Sequence, residues 1–221
     1  MRRSMMWVTA MVVSLWGAGA ALAGPEQQEV VDHAAATIAA MRSDQSFGNA
    51  PELMRRAKAV MVVPQLVKGG FFFGGEGGNG VLLAKTANGW SSPAFYTVGA
   101  ASFGLQIGVE TAEVVFLVMS DRALNAWMKN EVKLGAKAGL TVLVIGSNAE
   151  AAATTNANVD VIAWARSKGA YAGVTLEGSL IKPRDSFNEA YYGRKLSAER
   201  IIHGGPANHA ADTLRQSLAA L

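Results

Sequence analysis

Three glycines of the segment KGGFFFGGEGGNG (residues 68–80), namely Gly75, Gly77 and Gly80, have the spacing G-x-G-x-x-G. In a dinucleotide-binding fold this pattern follows a strand and opens a helix, whose N-terminus holds the pyrophosphate. Here the pattern is followed by VLLAKTANGW, which reads as a strand and a turn. A protein kinase also carries a glycine loop between strands ahead of a strand lysine, as in the LLAK found here. The companion H-R-D and D-F-G motifs are absent, and so is a Walker A sequence. No nucleotide is expected as cofactor or partner. The glycines read instead as parts of strands that curve, bulge or pack closely.

Hydrolytic chemistry has few carriers. The chain has no cysteine and three histidines, His33, His203 and His209, none spaced for a shared metal face on a helix. In GAASFG, Ser102 stands one place too late for a nucleophile elbow. His203-Gly204-Gly205 is similar to an esterase oxyanion segment, so a hydrolase using Ser102 with His203 or His209 is kept as an alternative. Acidic residues are scattered, with no pair placed for general acid and base work. The reading is therefore of a non-enzymatic protein with no catalytic residue, no metal and no cofactor.

Binding chemistry is better represented. Arg55, Arg56, Lys58 and Lys68 flank the run Phe71–Phe73 in sequence. Cations beside exposed aromatic rings suit an anionic membrane surface. Alternate residues of a strand face opposite sides, so Phe71 and Phe73 share one face and Phe72 takes the other. Lys129, Lys133 and Lys137 recur every four residues and would align on a helix, although Gly135 interrupts it. The candidate lipid-binding residues are Arg55, Arg56, Lys58, Lys68, Phe71, Phe73, Lys129 and Lys133.

These residues need elements to hold them. Arg2 and Arg3, an apolar run over residues 7–20 and Ala21-Leu22-Ala23 have the three parts of a secretory leader, with cleavage expected after Ala23. The expected location is periplasmic or secreted. The whole chain has 20 basic and 17 acidic residues, and removal of Arg2 and Arg3 leaves a net charge of +1. A nucleic-acid partner is not expected from so small an excess.

Residues 26–42 read as a helix with Val30, Ala34, Ile38 and Met41 on one face. A short helix runs from Pro51 to Lys58, where proline marks a first turn. AVMVVP then reads as a buried strand ending at its proline. GVLLAKT and WSSPAFYTVG read as a hairpin about Asn88-Gly89. SFGLQIGVE, AEVVFLVMS, GLTVLVIG, VDVIAWARS and GAYAGVTLEGSLIK supply further strands. A helix over Asp121–Lys129, with Asp121 at its N-cap, and short helices over 185–192, 198–202 and 206–221 complete the chain.

The predicted fold is a single α+β domain. A largely antiparallel, glycine-rich sheet, barrel- or sandwich-like, is flanked by N- and C-terminal helices. The predicted divisions are a leader at 1–23, a helix and loop at 24–50, and the main domain at 51–221.

The ordered series RAKAVMVVPQLVKGGF, GGEGGNGVL, GWSSPAF, GAASFGLQIG and the strand ending at Asp121-Arg122 resembles the SYLF domain family. It continues through KLGAKAG, EAAATT, VIAWARSKGAYAGVTLEGSLI and NEAYYG, covering about residues 53–206. The resemblance implies a lipid-binding module without enzymatic activity. Some eukaryotic members engage actin. With a bacterial-type leader on this chain, actin is not an expected partner, and a protein partner stays unspecified. The resulting expectation is a cell-envelope protein that binds anionic phospholipid head groups or a membrane surface. An envelope interaction or structural protein without a lipid ligand is the alternative.

Overall fold

The computed structural model of the chain describes residues 24–47, 50–70, 73–103, 108–129, 131–135, 140–146, 159–168, 176, 178–206 and 208–220. Residues 1–23, predicted as a leader, therefore lie outside the described residues, as do Phe71, Phe72, Lys137, the EAAATT segment and most of GAYAGVTLEG.

The chain opens with helix α1 (Pro25–Ser43), started by a proline in its first turn. Its buried stripe is Val31, Ala34, Ile38 and Met41. Ala34, Ile38 and Met41 are buried as expected, while at the first position Val31 is in the core and Val30 at its margin. A 3₁₀ turn (Gln45–Phe47) and helix α2 (Ala50–Arg56) lead into the sheet. Its long strands are β1 (Ala59–Gly70), β2 (Phe73–Thr86), β4 (Ala94–Phe103) and β5 (Gly108–Val118), with the two-residue β3 (Gly89–Trp90) between β2 and β4. Helix α3 (Asp121–Lys129), β6 (Val132–Lys133), β7 (Val142–Gly146), β8 (Val161–Lys168) and β9 (Leu180–Pro183) follow. Helices α4 (Asp185–Tyr192), α5 (Ala198–Ile202) and α6 (Asp212–Ala219) close the chain.

Among the described residues nine strands form one sheet, ordered β6-β9-β4-β2-β1-β5-β8-β7, with β3 added beside β2. It is an α+β domain whose sheet curls as a half-barrel. The antiparallel pattern has one exception, since β7 runs parallel to β8. The predicted hairpin splits on its second arm. Only Gly89 and Trp90 pair back immediately, and β4 resumes pairing with β2 after Ser91-Ser92-Pro93.

Strand β1 does not end at Pro64. It crosses the proline and continues to Gly70 between β2 and β5. Proline cannot donate to a ladder, so inside a central strand it requires a bulge. The register shifts at that point, between Val62 and Gln65 against β2 and between Val63 and Leu66 against β5. The bulge brings β1 backbone over β2. A Cβ at Gly78 would lie 2.4 Å from the Gln65 carbonyl oxygen, and one at Gly80 would lie 2.6 Å from that of Val62. Two glycines of the opening segment thus make room for a neighbouring strand.

The bulge also divides the sheet. On the α2 side both faces of β1, β2 and β5 are buried, with Ala59–Val63, Val81–Ala84 and Val114–Val118 in the core. One face meets α3, where the Trp127 and Phe116 rings meet edge to face at 5.8 Å and Tyr96 Oη donates to the Trp127 carbonyl at 3.0 Å. The other meets α1 and α4, where Phe95 packs against Phe187 and Tyr191. Beyond the bulge, Val67, Gly69, Gly75 and Gly77 of one face are exposed.

A second clamp joins α3 to the far strands. Asp160 is buried and accepts from Ser120 Oγ at 2.6 Å, from Arg122 and from the Thr141 backbone N–H at 3.1 Å. Ser120, not Asp121, caps α3, because its hydroxyl accepts the Ala123 N–H at 3.1 Å. Burial pushes the Asp160 carboxyl up, but hydrogen bonds from Ser120 and Thr141 and the Arg122 guanidinium outweigh it, so the group stays below the usual carboxylate range.

Candidate functional site

The expected basic and aromatic site does not form as one patch. Lys58 precedes β1 and Lys68 stands near its far end, ten residues apart, which is roughly 30 Å of extended chain. Arg55, Arg56 and Lys58 therefore sit at one pole of the sheet, and Lys68 at the other. Phe71 lies outside the described residues, and of Phe73 only the backbone is described.

Lys68 is held by carboxylates. In register it stands between Glu76 on β2 and Glu110 on β5. Its ammonium is 3.0 Å from Glu76, whose other oxygen accepts from Ser179 Oγ at 2.6 Å. Glu110 is buried and accepts from Ser167 Oγ. The Glu76 side chain keeps only 7% of its surface in water, so its carboxylate requires a cation, and Lys68 supplies it.

Lys129 and Lys133 are both exposed, but they do not share a helix. Lys129 ends α3, and Lys133 belongs to β6, which pairs with β9. The predicted four-residue helical face is thus overturned at its first interval, since the chain turns from helix to strand there.

The α2 pole holds together in space. Arg55 and Arg56 are exposed in the last turn of α2, and among the described residues neither has a carboxylate within 4.0 Å. Lys58 meets Asp121 at 3.4 Å, with both side chains largely in water, so the pair is weak. Lys85, which the sequence reading passed over as a strand lysine, is the hub. Its ammonium donates to the carbonyls of Met54 at 2.8 Å and Arg55 at 2.7 Å, closing the C-terminal end of α2. It also lies 5.5 Å from the centre of the Trp90 ring. Partial burial, and then the positive charge of Arg55, hold its pKa below that of an ordinary lysine. The backbone confirms the proximity, because the Lys85 N–H donates to the Lys58 carbonyl at 2.9 Å. The only hint of Lys85 in the sequence was its place at the end of the apolar run GVLLAK.

Beside this pole a cleft of about 530 Å³ opens between the end of β2, β3, α5 and α6. Lys85, Trp90, His203 and Arg215 line it, with Ser91 and Ser92 buried within it. The Ser91 hydroxyl donates to the Ser92 carbonyl at 2.9 Å, and the Ser92 hydroxyl to the Pro206 carbonyl at 2.9 Å. Neither is presented to His203 as a nucleophile. The Ser102 side chain is not described, and His209 is exposed beside Asp212 at 3.0 Å. Among the described residues no group of three or more His, Asp or Glu is arranged to hold a metal ion, and no helix is long and apolar enough to cross a membrane.

The family comparison covers the second half of this architecture. Residues 99–221, from within β4 to the end of the chain, match the Ysc84 family, described as "Las17-binding protein actin regulator". The chain is 33% identical over 158 residues to LAS seventeen-binding protein 3 of Saccharomyces cerevisiae and 34% identical over 158 residues to Protein YSC84 of the same yeast. In both cases 70% of this chain aligns with 34% of the relative. It is 30% identical over 154 residues to SH3 domain-containing YSC84-like protein 1 of Rattus norvegicus, covering 69% of this chain and 45% of the relative. The chain thus spans between a third and a half of the length of these relatives. Their names and the family description correct the expectation about partners: actin regulation and Las17 binding attach to this family, so the leader pattern was no ground for setting actin aside. With 123 of its 221 residues inside the family match, the chain belongs to the Ysc84 (SYLF) family.

Proposed function

We propose that this protein is a non-enzymatic docking module, and that its α2 pole meets anionic phospholipid head groups at a membrane surface. One observation carries the reading: two exposed guanidinium groups, Arg55 and Arg56, lack a carboxylate partner among the described residues and adjoin Lys58 and Lys85. Cations at a helix C-terminus also complement its dipole, which accounts for part of their placement. The Lys85 ammonium, on the last α2 carbonyls, belongs to the same helix end, while Arg55 and Arg56 stay exposed toward solvent. The hydrogen bonding of the cleft serines to backbone carbonyls supports binding over catalysis.

Flotation with vesicles of phosphatidylcholine alone and with added phosphatidylglycerol tests this reading. Each cation near an anionic surface contributes about 1 kcal/mol, so the double variant R55A/R56A is expected to lose about 30-fold in affinity. Binding should also weaken as salt is added. Equal recovery of wild type and double variant with the anionic vesicles would sink the proposal.

A protein partner in actin regulation is the second reading, favoured by the family description and by relatives named for Las17 binding. Co-sedimentation with actin filaments separates the two, because a lipid-only module stays in the supernatant. The leader pattern supports a periplasmic or secreted location. N-terminal mass spectrometry of exported protein tests it, and a chain that retains Met1 would count against it.

A further inference from the structure

The cleft beside Lys85 has a composition that membrane docking does not require. Among the described residues that line it are Lys85, Arg215 and His203, but no carboxylate. The chain as a whole is nearly balanced, at 20 basic to 17 acidic residues, so this one-sided lining is local. Apolar surface comes from Trp90, Leu124 and Ile201, on three different elements. The volume of about 530 Å³ falls within the range of small-molecule sites, roughly 300–1,000 Å³. The ammonium of Lys85 has three donors and gives two of them to α2 carbonyls, which leaves one. Arg215 is anchored by Asp212 and by the Asn208 carbonyl at 3.2 Å, so its planar donor group is held in place on α6.

We infer that this cleft binds one organic phosphate or carboxylate that carries an apolar body. The anion lies between Lys85 and Arg215, and the body lies against Trp90 and Leu124. The ring has a second role besides contact area. It already faces the Lys85 ammonium, so an incoming anion completes a stack of aromatic ring, cation and anion in a partly dry site. The inference holds whether or not the α2 arginines meet a bilayer, because a soluble phosphate ester and a lipid head group present the same chemistry here.

Calorimetry on the full chain tests it, with phenyl phosphate, inorganic phosphate and benzyl alcohol as probes, and a short-chain phosphatidate below its micellar concentration as the lipid arm. Phenyl phosphate is expected to bind one to one. Inorganic phosphate, which lacks the body, and benzyl alcohol, which lacks the charge, should each bind at least about tenfold more weakly, as expected for losing one charged hydrogen bond or a comparable apolar contact. K85M and R215M should each weaken phenyl phosphate by about tenfold while circular dichroism shows the native spectrum. Should either variant unfold, H203Q at the exposed rim replaces it, with a smaller weakening expected. Tighter binding of the phosphatidate than of phenyl phosphate identifies a lipid source, and the reverse order a soluble one.

The inference is overturned if phenyl phosphate gives no saturable heat with folded protein, or if the folded variants bind it as tightly as wild type. Loss of vesicle flotation with phenyl phosphate binding retained defeats only the membrane proposal. Vesicle binding without phenyl phosphate binding defeats only the cleft.

Discussion

Replacing Gly78 with alanine should destabilise the protein, and replacing Gly77 should not, although the two are neighbours in one glycine-rich strand. The difference lies in which face each presents. A Cβ at Gly78 would stand 2.4 Å from the Gln65 carbonyl oxygen, 3.1 Å from the Leu66 Cα and 3.1 Å from Val63 Cγ1. The first two atoms are backbone of the central strand β1, so no side-chain rotation relieves the overlap. Forcing a methyl group into packed surroundings costs about 1–3 kcal/mol, against which the stiffer unfolded chain of an alanine variant returns about 0.4–1 kcal/mol. With backbone as the obstacle the upper part of the first range applies, giving a net loss of about 2 kcal/mol for G78A. G80A, 2.6 Å from the Val62 oxygen and 2.9 Å from Val63 Cγ2, should lose a similar amount. At Gly77 nothing lies within 4 Å, so only the gain of about 0.4–1 kcal/mol remains. A domain of this size shifts by about 2–4 °C per kcal/mol, so thermal unfolding should fall by about 4–8 °C for G78A and rise by about 1–4 °C for G77A. Equal shifts at positions 77 and 78, in either direction, would refute the claim that the β1 bulge dictates these glycines. The G-x-G-x-x-G spacing treats Gly77 and Gly80 alike, so the experiment also separates a steric pattern from a phosphate loop.

Other outcomes follow from the buried charges. D160N should cost about 1–3 kcal/mol, since Thr141 N–H, Ser120 and Arg122 lose a carboxylate acceptor. The Asp160 carboxyl is held below its unfolded value of about 3.9, so its contribution is complete above that pH and is lost as pH falls through the lower folded value. Urea melts of wild type should therefore converge on those of D160N below pH 4, and parallel curves would contradict the assignment. K68M should lose about 3 kcal/mol, the lower end of the range for a broken buried pair, because Lys68 keeps 20% of its side chain in water. Adding E76Q to K68M should recover part of that loss in a double-mutant cycle, whereas strict additivity would show that the pair is not coupled. S120A should lose about 1 kcal/mol through the α3 cap and the Asp160 contact together, measurable as a fall in the urea midpoint, while D121A, at a position that does not cap, should stay within about 0.5 kcal/mol.

What the sequence determined was local. Period-two and apolar runs placed the strands, the 3.6-residue spacing placed α1, and α3 has the predicted bounds Asp121–Lys129. These signals lie within one element, where side-chain alternation and helix periodicity are written directly into residue order. The strand series with its interspersed glycines was also enough to indicate the family. Tertiary structure decided whatever depended on elements meeting. Pro64 read as a strand end, because the bulge that lets a central strand cross it exists only through β2 and β5. Lys68 and Arg55 read as parts of one patch, because a 12-residue strand separates in space what a short segment joins in sequence. Lys129 and Lys133 read as helical neighbours, because β6 is a strand only by virtue of its pairing with β9. The cleft was not legible at all. Lys85 and Arg215 are 130 positions apart, and only the closure of β2 and β3 against α5 and α6 gives them a common space.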